Sequence, residues 1–486
     1  MGFQSDTFQV DKIKIGSDTE QVVKGGRDLF PLLQKGFKGI KKIVVVGWGS
    51  QGPAQAQNLR DSLVGTDITV AVGLRKNSSS LDLARAAGFN EENNTLGEMF
   101  KMIRDADMVL LLTSDASQTQ IFKKVFKALK KDATLCLSHG FLLGHMKNVK
   151  KKFPKDHNII MVAPKGMGAS VRLLYEQGKD VNGAGINASF AIQQDVDGRA
   201  TDIALAWAIA IGSPYVFETS MKMEYRSDIY GERGVLLGGV WGMVEALYQW
   251  FKSQGKSNEE AFASAVESLT GPISSTMSHE GLVSVYDGLS ATEKQVFQTY
   301  YSAAYPGFKA ILAEIYDEVR SGNEIRSVVL AGKRLEATPM GKIDGTEMWE
   351  VGKTVRANRE KTNTPVEAST AGLYIAMMMA QVDVLRENGH SWSEIANESI
   401  IEATDSLNPF MHKNGISAMV DGCSTTARLG ARKWGPQFEA SLKMDAFVRI
   451  KNDDVDLDVF SSFVDHPIHE VWKTCAEMRP SVDIAV

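Results

Sequence analysis

The sequence has little of several features that mark specialised classes of protein. Its 486 residues include three cysteines, and Cys136, Cys423 and Cys475 are too widely spaced for a metal cluster or a disulfide framework. Lysine and arginine (54) nearly balance aspartate and glutamate (59), so the net charge is −5 and no basic surface for nucleic acid or anionic membrane is expected. The scarcity of cysteine favours a reducing compartment.

Long apolar runs are also missing. The most apolar stretches, 204–211 and 373–380, are shorter than the roughly 20 residues that a membrane-spanning helix needs. The N-terminus lacks the charged start and apolar centre of a secretory signal. We therefore expect a soluble protein, located in the plastid stroma if a transit peptide has been removed and otherwise in the cytoplasm. A chain of this length should divide into two or three domains.

A dinucleotide-binding pattern is present near the N-terminus. Residues 42–47 predict a buried strand that runs directly into a glycine-rich turn, after which a helix begins. The turn consists of Gly47, Trp48, Gly49, Ser50, Gln51 and Gly52. The first glycine permits a tight turn, the second lets backbone approach a pyrophosphate, and the third allows close helix–strand packing. By itself such a pattern is often only a turn, but between a strand and a helix it favours a dinucleotide site.

The end of the next predicted strand, 67–74, indicates which dinucleotide. An NAD enzyme tends to place a carboxylate there for the ribose hydroxyls. This chain instead has Arg75, Ser78 and Ser80, a set suited to the 2′-phosphate of NADP. The alternative is a basic surface turn.

Three further strands, 108–113, 134–138 and 158–163, predict an α/β Rossmann-type sheet. The first leads into a polar loop whose Ser114 and Gln118 are assigned to the cofactor, and the other two lead to His139 and Lys165. Ligands of such sheets bind beyond the carboxyl ends of the strands, so these positions favour a site. A structural histidine and a solvated lysine are the alternatives. The β–α alternation stops at about residue 220.

An acidic pair opens the helical remainder of the chain. Asp228 and Glu232 are four residues apart, so on a helix their carboxylates share one face. Next to the apolar run 235–237, burying both would be costly unless a divalent cation such as Mg²⁺ bound them. The alternative is a solvated acidic turn with Arg226 and Arg233 as neighbours.

An internal repeat with a constant offset of 134 residues brings in a second pair. Residues 238–290 align without gaps on 372–424. In this register the second copy has Thr362 and Val366 in place of the first acidic pair. It carries Glu398 and Glu402 instead, where the first copy has Ser264 and Ser268.

If the two copies pack about a pseudo-two-fold axis, the two surviving pairs can face each other at one site. Four carboxylates without basic partners would require cations, and two Mg²⁺ ions are the economical answer. Ser424, where the repeated register ends, offers a hydroxyl to a substrate or serves as a helix N-cap.

Taken together, these motifs resemble the ketol-acid reductoisomerase (acetohydroxyacid isomeroreductase) family, in its long, plant-like class II form. The resemblance extends over nearly the whole chain. It includes Gly-Trp-Gly-Ser-Gln-Gly-Pro-Ala-Gln-Ala at 47–56, Leu-Ser-His-Gly-Phe at 137–141, Pro-Lys-Gly-Met-Gly at 164–168, Ser-Asp-Ile-Tyr-Gly-Glu-Arg-Gly at 227–234, Asn-Glu-Ser-Ile-Ile-Glu-Ala at 397–403 and Cys-Ser-Thr-Thr-Ala-Arg at 423–428.

The resemblance implies an N-terminal leader (1–29), an NADP-binding Rossmann domain (30–219) and an all-α knotted domain built from two units (220–362 and 363–486). It implies that Asp228, Glu232, Glu398 and Glu402 bind two Mg²⁺ ions. His139, Lys165 and Glu402 would then be catalytic, and Ser424 would contact the substrate. Arg75, Ser78 and Ser80 would hold the 2′-phosphate of NADPH.

The implied reaction is an alkyl migration in 2-acetolactate or 2-aceto-2-hydroxybutyrate followed by reduction with NADPH. The product is a 2,3-dihydroxy acid of valine and isoleucine biosynthesis. A homodimer or homotetramer is expected. Two alternatives are another NADP-dependent hydroxyacid dehydrogenase, which leaves the acidic pairs unexplained, and a non-catalytic NADP-binding protein.

Overall fold

The computed structural model of the protein describes residues 2–359 and 364–481, which form two compact units. The first contains the described residues up to Tyr225 together with those from Thr474 onward. The second is Arg226–Lys473. The predicted boundary lies near 220, and the two units divide between Tyr225 and Arg226. The described residues from Thr474 onward belong to the first unit and not to the second helical copy.

The first unit is organised on one ten-stranded sheet with the strand order β1-β2-β10-β9-β8-β7-β6-β3-β4-β5. The strands are β1 (Asp11–Ile15), β2 (Asp18–Lys24), β3 (Lys42–Val46), β4 (Thr69–Leu74), β5 (Leu96–Glu98), β6 (Met108–Leu111), β7 (Thr134–Leu137), β8 (Ile159–Pro164), β9 (Ala188–Gln194) and β10 (Tyr215–Glu218). The helices are α1 (Leu33–Gly36), α2 (Gly52–Ser62), α3 (Leu81–Ala86), α4 (Met99–Arg104), α5 (Asp115–Ala128), α6 (Phe141–Asn148), α7 (Gly168–Gln177) and α8 (Ala200–Ala210).

Strand β3 lies at the point where the strand order reverses. From β3 the parallel strands run through β4 to β5 on one side and through β6 and β7 to β8 on the other. Val44 and Val46 pack in one hydrophobic cluster and Ile43 and Val45 in another, because helices cover both faces of the sheet. The predicted Rossmann-type α/β fold is confirmed, and its crevice opens beyond the carboxyl ends of β3 and β6.

Residues 1–29, interpreted from the sequence as a leader, differ from that expectation. They contain β1 and β2, and β2 pairs antiparallel with β10 through Val23 and Val216. Both strands alternate buried or half-buried with exposed residues over much of their length, so they lack the continuous apolar run of a central strand. Strand β9, antiparallel to β8, also has no counterpart among the predicted strands.

The second unit is helical, and within its described residues no strand occurs. Helix α9 (Met221–Arg233) begins in the first unit and ends in the second. The following helices are α10 (Gly238–Ser253), α11 (Asn258–Phe262), α12 (Ser274–Glu280), α13 (Leu282–Asp287), α14 (Ala291–Arg320), α15 (Asn323–Ala337), α16 (Glu347–Ala357), α17 (Ala368–Glu387), α18 (Trp392–Ala396), α19 (Asn408–Asn414), α20 (Ile416–Gly422), α21 (Thr425–Ser441), α22 (Phe447–Lys451), α23 (Ser461–Val464) and α24 (Ile468–Ala476).

Several elements of this unit recur at the offset found in the sequence. Helices α11 and α18 begin at Asn258 and Trp392, and α12 and α19 begin at Ser274 and Asn408. Two π-helical segments separate each pair: Ala263–Glu267 and Leu269–Ile273 in one case, and Asn397–Ile401 and Ala403–Leu407 in the other. Such segments are rare in proteins, so their recurrence in register favours a common origin.

The contacts between the corresponding elements are reciprocal. Helix α10 packs on α21, and α14 packs on α17. At the offset of 134 residues, α10 corresponds to α17 and α14 corresponds to α21. Exchanging the two copies therefore turns the first contact into the second. The side chain of Asn408 donates a hydrogen bond to Ser274, its own counterpart, over 3.2 Å. Reciprocal contacts of this kind are those that a two-fold axis generates. The duplication and the knot stay predictions, and Thr362, aligned with Asp228, lies outside the described residues.

Helix α17 is longer than its most apolar run suggests. By length and composition it passes the test for a membrane span, with a mean hydropathy of 1.3. However, 94% of the apolar window is buried inside the protein. Burial by protein neighbours gives α17 the environment of a core helix.

Candidate active site

The glycine-rich turn between β3 and α2 has the geometry that a bound pyrophosphate needs. Gly47 has φ +116°, and a Cβ there would meet the Leu112 carbonyl oxygen at 2.7 Å. A Cβ at Gly52 would meet the Gly47 oxygen at 2.4 Å, whereas a Cβ at Gly49 would have no atom within 4 Å. Two of the glycines are thus required by packing, and the middle one borders open space at the N-terminus of α2, where anions are favoured.

The remaining residues of the turn hold it against the sheet. The side chain of Gln51 donates to the Gly166 carbonyl over 2.9 Å, and a Cβ at Gly168 would lie 1.8 Å from the Ser50 oxygen. Trp48 is half-buried and packs edge-on against Phe89 at 5.7 Å. The turn is therefore fixed from both sides before any ligand binds.

The predicted ribose-phosphate residues follow the neighbouring strand. Arg75 directly follows β4 and is exposed. The Ser78 N–H donates to the Arg75 carbonyl over 3.0 Å, and the Ser78 hydroxyl accepts from the Ser80 N–H over 3.2 Å, which curls the loop into a compact turn. Since β3 and β4 pair in parallel, this loop and the glycine turn lie at the same edge of the sheet. The arrangement fits a phosphorylated ribose.

Ser114 and Gln118 differ in what they can offer to the cofactor. Ser114 is exposed just before α5, so its hydroxyl is accessible. Gln118 is buried and its amide donates to the Leu111 and Thr113 carbonyls over 3.2 and 2.9 Å. Gln118 thereby fixes the loop after β6, and its contact with the cofactor stays a prediction.

His139 follows β7, and a buried carboxylate holds it. Its Nδ1 lies 3.2 Å from Oε1 of Glu224, whose Oε2 accepts from the Gly140 N–H over 2.6 Å. Glu224 is fully buried in the first turn of α9, in the same unit. A carboxylate at Nδ1 fixes the ring orientation and leaves Nε2 as the unprotonated nitrogen of the neutral ring. Lys165, at the end of β8, is 2% exposed and is therefore not a solvated surface lysine.

In the second unit, Glu398 and Glu402 approach the end of α9. Glu398 is fully buried within the π-helical segment Asn397–Ile401, and Glu402 is half-buried immediately after it. A Cβ at Gly231 would lie 3.3 Å from the Glu398 carbonyl oxygen, so the Asp228–Glu232 turn of α9 runs against this segment. π-helical turns are frequent at functional sites.

The thiol of Cys423 lies near one carboxylate of each acidic pair. Burial, together with the nearby Glu232 and Glu402 carboxylates, raises the pKa of Cys423 to about 12. Ser424, the next residue, is the N-cap of α21, and its Oγ accepts from the Ala427 N–H over 3.1 Å. Since that bond uses a lone pair, the exposed hydroxyl can still donate to a substrate. Capping and substrate contact, the two alternatives for Ser424, are compatible.

The expectation that these carboxylates lack basic partners is wrong for Glu232. Arg233, which is fully buried, donates to Glu232 Oε2 over 3.0 Å and to Glu324 Oε2 over 2.8 Å. One positive charge is therefore already present beside the acidic pairs. It is shared between Glu232 and Glu324, and Glu324 has Lys433 as a second cationic partner.

The counterpart positions in the first copy are filled by a closed polar network. Lys256 donates to the Ser264 hydroxyl over 2.7 Å and to Glu367 over 3.0 Å, and Ser268 accepts from the Glu367 N–H over 2.8 Å. An ion pair and two hydroxyls thus occupy the place where the other copy has Glu398 and Glu402. Among the described residues of this network, the Lys256 ammonium balances the Glu367 carboxylate.

Sequence reasoning missed Glu224 as a functional residue. The available signal was its spacing, because Glu224, Asp228 and Glu232 recur every four residues on α9. The function of the first carboxylate depends on His139, 85 residues away, which spacing alone does not show.

Comparisons with known proteins agree over the whole chain. The family model described as the NADPH-binding domain of acetohydroxy acid isomeroreductase matches residues 38–215. The model of the ketol-acid reductoisomerase C-terminal domain matches 221–361 and 367–455. The chloroplastic ketol-acid reductoisomerase of Spinacia oleracea is 54% identical over all of this chain and 83% of its own length, and that of Pisum sativum is 53% identical over 100% and 85%.

A solved structure of an NADH-preferring ketol-acid reductoisomerase from an uncultured archean is similar, with a TM-score of 0.55. It is 26% identical and covers 65% of this chain and 94% of its own. The motifs, the two-unit architecture and the whole-length identity agree, and this chain belongs to the ketol-acid reductoisomerase family, oxidoreductases with isomerase activity that act in branched-chain amino acid biosynthesis.

Proposed function

We propose that this chain converts 2-acetolactate to 2,3-dihydroxy-isovalerate, and 2-aceto-2-hydroxybutyrate to 2,3-dihydroxy-3-methylvalerate, with two Mg²⁺ ions and NADPH. The observation that carries the proposal is the approach of α9, with Asp228 and Glu232, to the π-helical segment that holds Glu398. A metal-free dehydrogenase does not require two acidic pairs close together, and neither does a protein that only binds NADP.

When bound, the two Mg²⁺ ions would polarise the hydroxyl and ketone oxygens of the substrate, and NADPH would supply the hydride. Asp228, Glu232, Glu398 and Glu402 would hold the ions, since hard cations prefer carboxylate oxygens. We assign the proton transfers of the alkyl migration to Glu402, which is half-buried. The Ser424 hydroxyl would orient the substrate by donating a hydrogen bond.

The residues of the first unit would act on the reduction step. The glycine turn and the N-terminus of α2 would bind the pyrophosphate. Glu224 holds His139 in one orientation. Lys165 would donate to an oxygen of the substrate as the new hydroxyl forms, since a buried ammonium stabilises developing negative charge.

The activity is tested by NADPH oxidation with 2-acetolactate, measured at 340 nm with Mg²⁺ and with EDTA. Oxidation that requires both the substrate and Mg²⁺ is expected. Oxidation that persists in EDTA would instead favour a metal-free dehydrogenase, and no oxidation in either condition would favour a binding protein. Parallel assays with 2-aceto-2-hydroxybutyrate give the substrate preference.

Cofactor preference is a separate prediction, because the family includes members of both kinds. A relative from Desulfosudis oleivorans, 35% identical over 65% of this chain, is named for NAD(+). Replacing Arg75 with aspartate should reverse the preference from NADPH to NADH, since a carboxylate repels the 2′-phosphate and binds the ribose hydroxyls. The kcat/KM ratio for the two cofactors is the measurement.

Lys124→Asp, an equal charge change at an exposed residue of α5, controls for net charge. An unchanged ratio in Arg75→Asp would place the phosphate elsewhere.

Two further proposals rest on the relatives and on the family. The chloroplastic names of the spinach and pea enzymes favour the plastid stroma, which organelle fractionation of the source tissue would test. A homodimer or homotetramer is proposed for solution, and light scattering coupled to size-exclusion chromatography gives the mass directly. A mass near the 53.2 kDa of one chain would rule out both oligomers.

A further inference from the structure

A third carboxylate precedes Glu398 and Glu402 by one helical turn. Glu394, in α18, completes a series with a spacing of four residues, as Glu224 does on α9. Glu394 is 1% exposed. A buried carboxylate costs several kcal/mol unless its oxygens are well partnered, so its contacts are informative.

Oε1 of Glu394 accepts a hydrogen bond from another helix, and Oε2 lies near an imidazole ring. The Ser227 hydroxyl donates to Oε1 over 2.9 Å, and Ser227 directly precedes Asp228 on α9. Oε2 lies 3.2 Å from Nδ1 of His390, whose Nε2 is 2.8 Å from the Tyr316 hydroxyl of α14. All four side chains are buried. This polar chain connects the helix that carries one acidic pair to the helix that leads into the other.

The equivalent residue of the first copy has a different use. Ser257-x-x-Glu260 and Ser391-x-x-Glu394 are the same helix-start signature at corresponding positions. Glu260 is exposed and closes a capping box, accepting from the Ser257 N–H over 2.8 Å. The Ser391 hydroxyl likewise accepts from the Glu394 N–H, but the Glu394 carboxylate turns to Ser227. In the copy that has the acidic pair Glu398–Glu402, the carboxylate of this glutamate does not close a capping box and instead accepts a hydrogen bond from Ser227.

We propose that Glu394 is a positioning residue that fixes the spacing between the Asp228–Glu232 pair and the Glu398–Glu402 pair through its hydrogen bond with Ser227. The proposal rests on the metal-binding function proposed above. Metal ligands must be held within about 0.5 Å of their productive geometry, and groups that orient ligands typically affect metal affinity by about 10–100-fold. A bond to the residue adjoining Asp228 acts on the rotation and the depth of α9 at that site.

The test is a calorimetric titration of the full chain with Mg²⁺ in the presence of NADPH. Glu394→Ala should weaken Mg²⁺ binding by about 10–100-fold. Glu394→Gln, which still accepts from Ser227, should lose much less. The NADPH Kd should stay at the wild-type value in both variants. Equal losses in Glu394→Ala and Glu394→Gln would overturn the proposal, because they would show that the charge of Glu394 acts and not its hydrogen bond.

Glu260→Ala is the matched control. It removes the equivalent glutamate of the first copy and should lower the unfolding temperature through the lost cap, with unchanged Mg²⁺ affinity. If Glu260→Ala weakened Mg²⁺ binding as much as Glu394→Ala does, general destabilisation would explain both, and the proposal would fail.

Ser227→Ala covers the case in which Glu394→Ala does not fold. It should weaken Mg²⁺ binding in the same direction as Glu394→Ala. Where Glu394→Ala folds, adding Ser227→Ala to it should cost less than the sum of the separate losses, because both substitutions remove the same bond. Simple additivity, or normal Mg²⁺ affinity in a folded Ser227→Ala, contradicts the proposal. A comparison of wild type with Asp228→Asn distinguishes failure of the metal site from failure of the role of Glu394. Equal Mg²⁺ affinity in wild type and Asp228→Asn would refute the metal site itself.

Discussion

Asp228→Asn should lower the turnover of 2-acetolactate by about three orders of magnitude or more. The substitution keeps the shape of the side chain and removes the charge of a carboxylate that we assign to Mg²⁺. The ions are worth several kcal/mol of transition-state stabilisation, and each 1.36 kcal/mol changes the rate about tenfold. The other carboxylates of α9 are Glu224, which is buried, and Glu232, which is half-buried like Asp228. The helix therefore has no exposed carboxylate that could replace Asp228.

NADPH binding should survive this substitution. The glycine turn and Arg75 belong to the first unit, whereas Asp228 belongs to the second. A fluorescence titration with NADPH, beside the assay with 2-acetolactate, therefore separates loss of metal from loss of fold. Asp317→Asn, which neutralises an exposed carboxylate of α14 in the same unit, is the control and should leave both measurements unchanged. Turnover near the wild-type value in Asp228→Asn would refute the metal assignment.

The parts of the site that the sequence predicted are those whose chemistry is local. The glycine turn, with its flanking strand and helix, occupies consecutive residues, so the pattern contains its own structural context. Arg75 and His139 were located because a parallel sheet brings the carboxyl ends of its strands to one edge. The acidic pairs needed one long-range fact, the offset of 134 residues, and a repeat makes such a fact readable in the sequence.

The contacts that the sequence did not predict connect residues far apart in the chain. Glu224 has His139 as partner, and Glu394 has Ser227, across 85 and 167 residues. Nothing in the composition near either glutamate indicates its partner. The hairpin of β1 and β2 is hard to predict for another reason, because its strands alternate polar and apolar residues and lack the continuous apolar run of a central strand.

Arg233 is the other residue whose environment the sequence concealed, and replacing it should have the largest effect on stability. Its guanidinium is fully buried and donates to Glu324, to Glu232 and to the Ile229 carbonyl over 2.8, 3.0 and 3.1 Å. A Cβ at Gly430 would lie 2.5 Å from its Cζ, so the space around it has no slack. Arg233→Met should lower the free energy of unfolding by about 3–5 kcal/mol, the usual cost of removing one partner of a buried ion pair.

The matched control uses the second cation on the same carboxylate. Lys433 lies 2.5 Å from Glu324, but its side chain is 41% exposed. Lys433→Met should cost about 1 kcal/mol or less, because an exposed cation is partly replaced by water. Denaturant titrations in EDTA keep metal binding out of the comparison. Equal losses in the two variants would contradict the view that burial makes Arg233 the dominant partner.

The pH dependence gives the prediction a sign. Burial raises the pKa of Glu324, but Arg233 and Lys433 outweigh burial, and the net result is a pKa below the ordinary value. A lowered folded-state pKa contributes stability above the unfolded pKa, near 4.3, and that contribution is lost as the pH falls through the folded pKa. The difference between wild type and Arg233→Met should therefore be full at pH 7 and shrink below about pH 4, because protonated Glu324 no longer needs its arginine. A difference that is constant from pH 7 to pH 3 would mean that Arg233 stabilises the fold by packing and not by charge.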